Sequence, residues 1–239
     1  MKENEEKTMS IECTGLDFTY PGTGVPVIKN LSFSMQGPGF MALFGPSGSG
    51  KTSLAKLIAA GRSHGNGSSF IFRSIDIVLY SYNLERLPGW SSTGEHLDRV
   101  TPQEKQELKN ELIKIFKLHD ILGSRFSQLS MGQQNRINLV RYLVQDFDLL
   151  IMDESLANVD EKLRESIILA IKELFAGKMF LYISHNLIEV AKFCRQILVF
   201  GTPLENRGYC LTHGLDYKKG YRPEKDRLDS VMLEIMNAF

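Results

Sequence analysis

The sequence predicts an α/β fold: a mainly parallel β-sheet with crossover helices, an antiparallel β portion near its start and a helical insertion. Three observations predict it. Short apolar runs within "FMALFG", "FDLLIMDE", "KMFLYISH" and "RQILVFG" have the length of strands buried on both faces. The stretches between the later runs, "VDEKLRESIILAIKELF" and "NLIEVAKF", carry helical periodicity. The first run also ends in a glycine-rich segment that leads directly into a helix, a strand–loop–helix unit.

Length and charge set the bounds. A chain of 239 residues can bury the core such a fold requires, and its formal net charge of +0 provides no general attraction to nucleic acid or anionic lipid. Cys13, Cys194 and Cys210 lack C-x-x-C spacing, so they read as buried apolar thiols in a reducing compartment, not as a disulfide framework or zinc site. "MKENEEKTMS" has no apolar centre of a signal or transit peptide; residues 1–9 read as a loose tail. No apolar run approaches the roughly 18 residues of a membrane span.

Along the chain, "IECTGLDFTY" and "VPVIKNLSFSM" alternate around "PGTG" and predict an antiparallel hairpin. "FMALFG" predicts the first parallel strand, and "KTSLAKLIAAG" a helix with Leu54, Leu57 and Ile58 on its apolar face. From about Trp90 to Gln128 the strand signal disappears. There Thr101 reads as an N-cap, with Pro102 at the first helical position and Glu104 closing a capping box. The charged helix from Gln103 to Lys117 reads as a solvated face. Strand–helix alternation then resumes, and "RLDSVMLEIMNAF" closes the chain as an amphipathic helix. The expected organisation is a core over 10–90 and 145–239 with a helical subdomain over 91–144.

"GPSGSGKT" fits G-x-x-x-x-G-K-[ST] in the strand–loop–helix context that motif requires. Gly45, Pro46, Ser47, Gly48, Ser49 and Gly50 would turn backbone N–H groups toward phosphate oxygens, with Ser53 following in the helix. Lys51 would bridge the β- and γ-phosphates and Thr52 would place its hydroxyl on Mg²⁺. This predicts a P-loop NTPase core. Asp153 ends an apolar strand, where a carboxylate reaches the metal; Glu154 beside it suits activation of the attacking water. These motifs alone specify a nucleotide and Mg²⁺, and many kinds of enzyme share them.

A further stretch narrows the choice. "LSMGQQNR" contains Gly132, costly in a helix interior unless another backbone comes close. In its order and position it resembles the L-S-G-G-Q signature of ABC-type ATPases. Other family elements follow in order: Tyr20 in "FTYPG" matches the aromatic that stacks on adenine, "SLANVD" the D-loop, and His185 in "YISHN" the switch histidine. The resemblance runs from about Ile11 onward. It implies an ATPase in which two subunits face head to tail, with Ser130, Gly132 and Gln133 of one subunit addressing the ATP held by the P-loop of the other. It also implies a membrane permease as partner, an extracytoplasmic solute-binding protein in the same system, and a place at the cytoplasmic face of the membrane. "LPGW", the "EHL" after it and the chain's ending are similar to the nitrate, sulfonate and taurine importer group.

The sequence departs from the family pattern at three places. Met131 replaces the first signature glycine, where a Cβ opposes positive φ and adds bulk. Asn83 occupies the position of a glutamine that reaches Mg²⁺, one methylene shorter; Tyr82 is the other register. Ser155 stands where a proline often follows the acidic pair. Arg136 reads as a salt-bridge or helix-surface residue, and His64, His96, His119 and His213 as surface residues. Leu87 and Trp90 suit either a permease-docking surface or core packing. The alternatives left open are a weakly hydrolysing partner in a heterodimer, a non-transport ABC ATPase, and a soluble P-loop phosphotransferase.

Overall fold

The computed structural model describes residues 8–61, 69–83, 85–87, 90–201, 208–220 and 225–238. Most of the loose tail, His64, Pro88, Gly89 and residues 221–224 lie outside them. The hairpin forms from β1 (Ser10–Thr19) and β2 (Pro26–Gln36), paired antiparallel, and β4 (Ser69–Arg73) joins the free side of β1.

The second sheet contains β3 (Gly39–Phe44), β5 (Val78–Tyr82), β6 (Leu149–Asp153), β7 (Met179–Ile183), β8 (Gln196–Phe200) and β9 (Tyr209–His213). Its order is β5-β6-β7-β3-β8-β9, parallel throughout except for the antiparallel β8–β9 pair. The strand period of two assigns alternate side chains to opposite faces. Phe40, Ala42, Leu150, Met152, Phe180 and Tyr182 enter one core, beside α5 (Glu161–Leu174) and α6 (Leu187–Phe193). Met41, Leu43, Leu149, Ile151, Leu181 and Ile183 enter the other, shared with α1 (Lys51–Ala59) and the three-stranded sheet. A fully buried Leu, Ile or Phe contributes roughly 1.5–3 kcal/mol, so both faces hold the central strands in register.

The described segment between β5 and β6 carries α2 (Thr93–Val100), α3 (Gln106–Ile115) and α4 (Met131–Leu143), joined by short 3₁₀ turns. Here the structure corrects a sequence expectation. Thr101 does not cap a following helix; it ends α2, its hydroxyl donating to the Leu97 carbonyl at 2.6 Å. Pro102 disfavours helical backbone at the residue before it, so Thr101 is extended and Gln103–Lys105 form only a 3₁₀ turn before α3 begins. The capping box lies upstream, where the Ser92 hydroxyl accepts from Glu95 N and the Glu95 carboxylate accepts from Ser92 N. Nor is the charged helix uniformly solvated: Lys109 is buried and ion-paired with Asp98. Cys13 and Cys194 are buried, but Cys210 on the outer strand β9 is exposed. The chain's last helix, α7 (Lys225–Asn237), packs on α6. Among the described residues no helix is long and apolar enough to cross a membrane.

Candidate functional site

The loop after β3 is shaped by glycines. Gly48 and Gly50 hold φ of +78° and +100°, and the N-cap position of α1 is Gly50 itself, with no side-chain cap. A helix start of this kind leaves first-turn N–H groups for an anion. Ser47 and Gly48 lie at the exposed surface of the loop and Ser49 is buried. Lys51 is buried, and its Nζ donates to the carbonyls of Gly45 at 2.9 Å and Pro46 at 2.6 Å. Burial pulls its ammonium below the usual lysine range, while Asp153 and Glu154 pull the other way. Tyr20, 41% exposed, stands beside this helix with its hydroxyl 2.9 Å from Ser53 Oγ and its ring edge-on to Phe18. An open aromatic face thus lies next to the phosphate loop.

A cavity of about 630 Å³ opens alongside, lined by Thr52, Lys56, Tyr80, Tyr82, Asn83, Asp153 and Glu154. Asp153 ends β6 with only 6% of its surface exposed. Tyr80, two residues before the Asp153 partner Tyr82 on the adjoining strand, donates its hydroxyl to Asp153 Oδ2 at 2.7 Å. Burial, then this bond to a carboxylate, pushes the Tyr80 phenol well above the usual tyrosine range and keeps it a donor. Asn83 N donates to the Asp153 carbonyl at 3.0 Å, which fixes the end of β5 against β6. The hydroxyl of Thr52, the carboxylate of Asp153 and the amide oxygen of Asn83 form a hard-oxygen donor set. Among the described residues no cluster of three His, Cys, Asp or Glu side chains could hold a metal by itself. The donor set fits Mg²⁺, which takes one or two protein oxygens and completes its shell with water and substrate phosphates.

Glu154 has φ of +53°, a left-handed conformation that turns it away from the line of β6. Its Oε1 lies 2.7 Å from His185 Nε2, which follows β7. Ser155 is buried, and its hydroxyl meets Ser81 O at 3.0 Å and Ser81 Oγ at 2.9 Å. It ties β6 to β5, a use that a proline could not supply. Behind His185, Glu189 is buried and accepts from Tyr182 and Ser184, while pairing with Arg164. Arg164 also donates to Val159 O, so one network links the turn after β7 to the turn after β6.

The signature stretch starts α4. Ser130 is its N-cap: the hydroxyl accepts from Gln133 N at 3.3 Å, and Gln133 Oε1 accepts from Ser130 N at 2.8 Å. Met131 is an exposed first-turn residue without positive φ, so the expected backbone conflict does not arise. Gly132 answers to a different constraint: a Cβ there would lie 2.1 Å from the Asn158 carbonyl oxygen. The backbone that comes close belongs to the "SLANVD" turn of the same chain. Ser130, Gly132 and Gln133 do not line the cavity around Asp153. Arg136 forms no salt bridge among the described residues; its guanidinium donates to Phe116 O and Lys117 O and so caps the end of α3.

Other expectations divide. His119 and His213 are exposed, whereas His96 is half-buried with Nε2 shielded from solvent. Leu87 is buried and Trp90 is 76% exposed, so the two separate into packing and surface. Sequence reasoning missed Tyr80, Asn135, Arg164 and Glu189. Tyr80 repeats Tyr82 at the strand period, and Asn135 follows Gly132 by three on one helical face; those were the available signals.

Known proteins resemble this chain in sequence and in fold. A family model described as ABC transporter matches residues 28–157, more than half of the chain. The Fe(3+) ions import ATP-binding protein of Fusobacterium nucleatum subsp. nucleatum is 33% identical over 189 residues, 72% of this chain and 51% of its own length. The spermidine/putrescine import ATP-binding protein of Aliivibrio fischeri is 27% identical over 229 residues, covering 85% of this chain and 60% of its own. The chain thus spans about half the length of the curated relatives it matches. The solved structure of a bacterial Atm1-family ABC exporter with ATP bound shares the fold, with a TM-score of 0.71 at 19% identity over 81% of this chain and 37% of that one.

Proposed function

The chain belongs to the ABC transporter family, and from that premise we propose that it is a transporter's ATP-binding and hydrolysing subunit, one that closes on a second copy or a related chain. The observation that carries this reading is one cavity lined by Thr52, Asp153 and Glu154, with the Lys51 ammonium within electrostatic reach of both carboxylates and His185 2.7 Å from Glu154.

Each residue then has a task that its surroundings suit. Tyr20 stacks on the adenine. The Gly45–Gly50 backbone and Lys51 hold the phosphates, and the first-turn N–H groups of α1 add their dipole. Thr52, Asp153 and Asn83 hold Mg²⁺, which when bound neutralises charge on the β- and γ-phosphates. Glu154 orients the attacking water and takes its proton on the carboxylate; His185 fixes the rotamer of that carboxylate through Oε1. Ser130, with the N–H groups around Gly132 and with Gln133, serves the nucleotide of the opposite subunit from an N-terminal helix turn.

Several of the matching relatives are import ATP-binding proteins, for polyamine and iron among others, which supports import as the direction, although a lipid A-core flippase matches as well. The groove between the core and the helical subdomain, near Asn83 to Trp90, is the proposed seat of a membrane permease, and Trp90 is exposed there. That places the subunit at the cytoplasmic face, with an extracytoplasmic binding protein supplying the solute. The "LPGW" and "EHL" stretches support a cargo of the nitrate, sulfonate or taurine kind. The division into a core over 10–90 and 145–239 and a helical subdomain over 91–144 belongs to the same reading.

Light scattering on the Glu154→Gln variant tests it. With ATP and Mg²⁺ the particle mass should double, and Ser130→Arg in the same chain should prevent the doubling. A mass indifferent to nucleotide overturns closure on a second copy and leaves a related chain as the partner to test.

A further inference from the structure

A smaller cavity, of about 220 Å³, lies at the opposite end of the large sheet from the phosphate loop. It takes its lining from the amino ends of β3 and β7 and from the residue before β8, whereas the phosphate loop, Glu154 and His185 follow the carboxyl ends of β3, β6 and β7. The 6 residues of β3, roughly 20 Å of extended chain, separate the two. Part of the lining is an aromatic cluster. Phe40 and Phe180 are buried with stacked rings 4.7 Å apart, and Phe175 at the end of α5 meets Phe180 edge-on at 6.2 Å.

Three cations and one carboxylate line the same space: Lys172, Arg195, Lys218 and Asp216. The carboxylate is already committed. Asp216 Oδ1 accepts from Lys172 Nζ at 2.6 Å, and that ammonium, on a side chain 7% exposed, also donates to the Phe193 carbonyl at 2.8 Å. Two of its three hydrogens are thereby used and one remains. Arg195 and Lys218 are exposed, and their side chains form no hydrogen bond or ion pair among the described residues. Burial pulls the Lys172 ammonium below the usual lysine range; Asp216 opposes that pull and the nearby Lys218 adds to it. The cavity thus gathers two positive charges more than its own carboxylate balances, and a concave surface lined by one sign of charge concentrates the opposite sign.

We propose that this cavity binds a small organic anion, a carboxylate carried on a single flat apolar ring, with Arg195, Lys218 and Lys172 meeting the carboxylate and the phenylalanine cluster packing on the ring. Size decides against anything larger: 220 Å³ is about a third of the 630 Å³ beside the phosphate loop, and it falls below the roughly 300–1,000 Å³ that drug-sized ligands occupy. A guanidinium matches a carboxylate through two parallel N–H···O bonds, and a ring adds aromatic contact that an inorganic anion lacks. The site is separate from the nucleotide's, since the two cavities share no lining residue among the described ones.

Ligand-observed proton NMR on the full chain tests it, with benzoate as the probe, benzylamine as the same ring bearing a positive charge, and inorganic phosphate as a competitor. Benzoate should bind saturably, and a non-hydrolysable ATP analogue with Mg²⁺ should not displace it. Arg195→Gln and Lys218→Ala, at exposed positions and with folding verified by circular dichroism, should each raise the half-saturating benzoate concentration roughly three- to tenfold. Benzylamine should not bind, and phosphate should displace benzoate only at roughly tenfold or greater excess. Absence of saturable binding, a titration unchanged in both variants, or equal binding of benzylamine overturns the proposal. Displacement by the ATP analogue overturns it too, because the anion then lies in the nucleotide cavity, and displacement by equimolar phosphate overturns the part given to the ring.

Discussion

Glu154 Oε1 and His185 Nε2 lie 2.7 Å apart although they close different strands, β6 and β7. Register explains the meeting: Asp153 pairs with Ile183, so the residues just beyond each strand emerge side by side. Glu154 N also bonds the Ile183 carbonyl at 3.1 Å, and the positive φ at Glu154 aims the carboxylate at the imidazole.

Removing the imidazole should disable the carboxylate without emptying the nucleotide site. His185→Ala is expected to lower ATP hydrolysis by roughly 10²-fold or more, as for a displaced general base, with nucleotide affinity little changed. Parallel turnover and equilibrium-binding measurements decide the matter. Unchanged turnover would mean that Glu154 is oriented by something else.

Gly132 admits no side chain as the structure stands. Gly132→Ala would drive Cβ into the Asn158 carbonyl, at a cost of roughly 1–3 kcal/mol if the turn must shift. Met131→Gly, at an exposed first-turn position, should cost at most about 1 kcal/mol. Urea denaturation of the two variants gives the ranking directly, and equal losses would contradict it.

Ser155 holds two strands together through a hydroxyl. Ser155→Ala strands the buried Ser81 hydroxyl and should destabilise by about 1–3 kcal/mol. A melting temperature equal to that of the unmodified chain would show that Ser81 finds another partner.

The three thiols should differ in reactivity. Burial pushes Cys13 up to about 11 and Cys194 higher still, so neither supplies thiolate at neutral pH, whereas Cys210 is exposed. A disulfide reagent should titrate one thiol in the folded chain and three after unfolding. Rapid labelling of a second thiol before unfolding would contradict the packing around Cys13 or Cys194.

What was legible in the sequence follows from where the physical signal lies. Central strands buried on both faces print apolar runs, and β3, β6, β7 and β8 were read from them. The strands that were missed, β4, β5 and β9, all lie at sheet edges, where one-sided pairing and mixed exposure leave polar residues among the apolar ones. "VLYSY" has no uniform pattern because Tyr80 turns to Asp153 while Tyr82 is exposed. The phosphate loop was legible because its chemistry is contiguous. The hydrogen bond from Asn135 to Asn83 spans 52 positions and that from Tyr80 to Asp153 spans 73, distances over which local spacing carries no information. Arg136 misled for a related reason, since its acceptors are all backbone oxygens, Gly132 in its own helix and Phe116 and Lys117 at the end of a different one.

The position of the Lys51 ammonium affects how its variants are interpreted. Because it clasps the Gly45 and Pro46 carbonyls, the lysine doubles as an internal brace for the turn that carries it. Substituting methionine would therefore slacken the turn even in nucleotide-free protein. A drop in ATP affinity for such a variant mixes two losses, and heat-scanning the protein without nucleotide is the measurement that separates them.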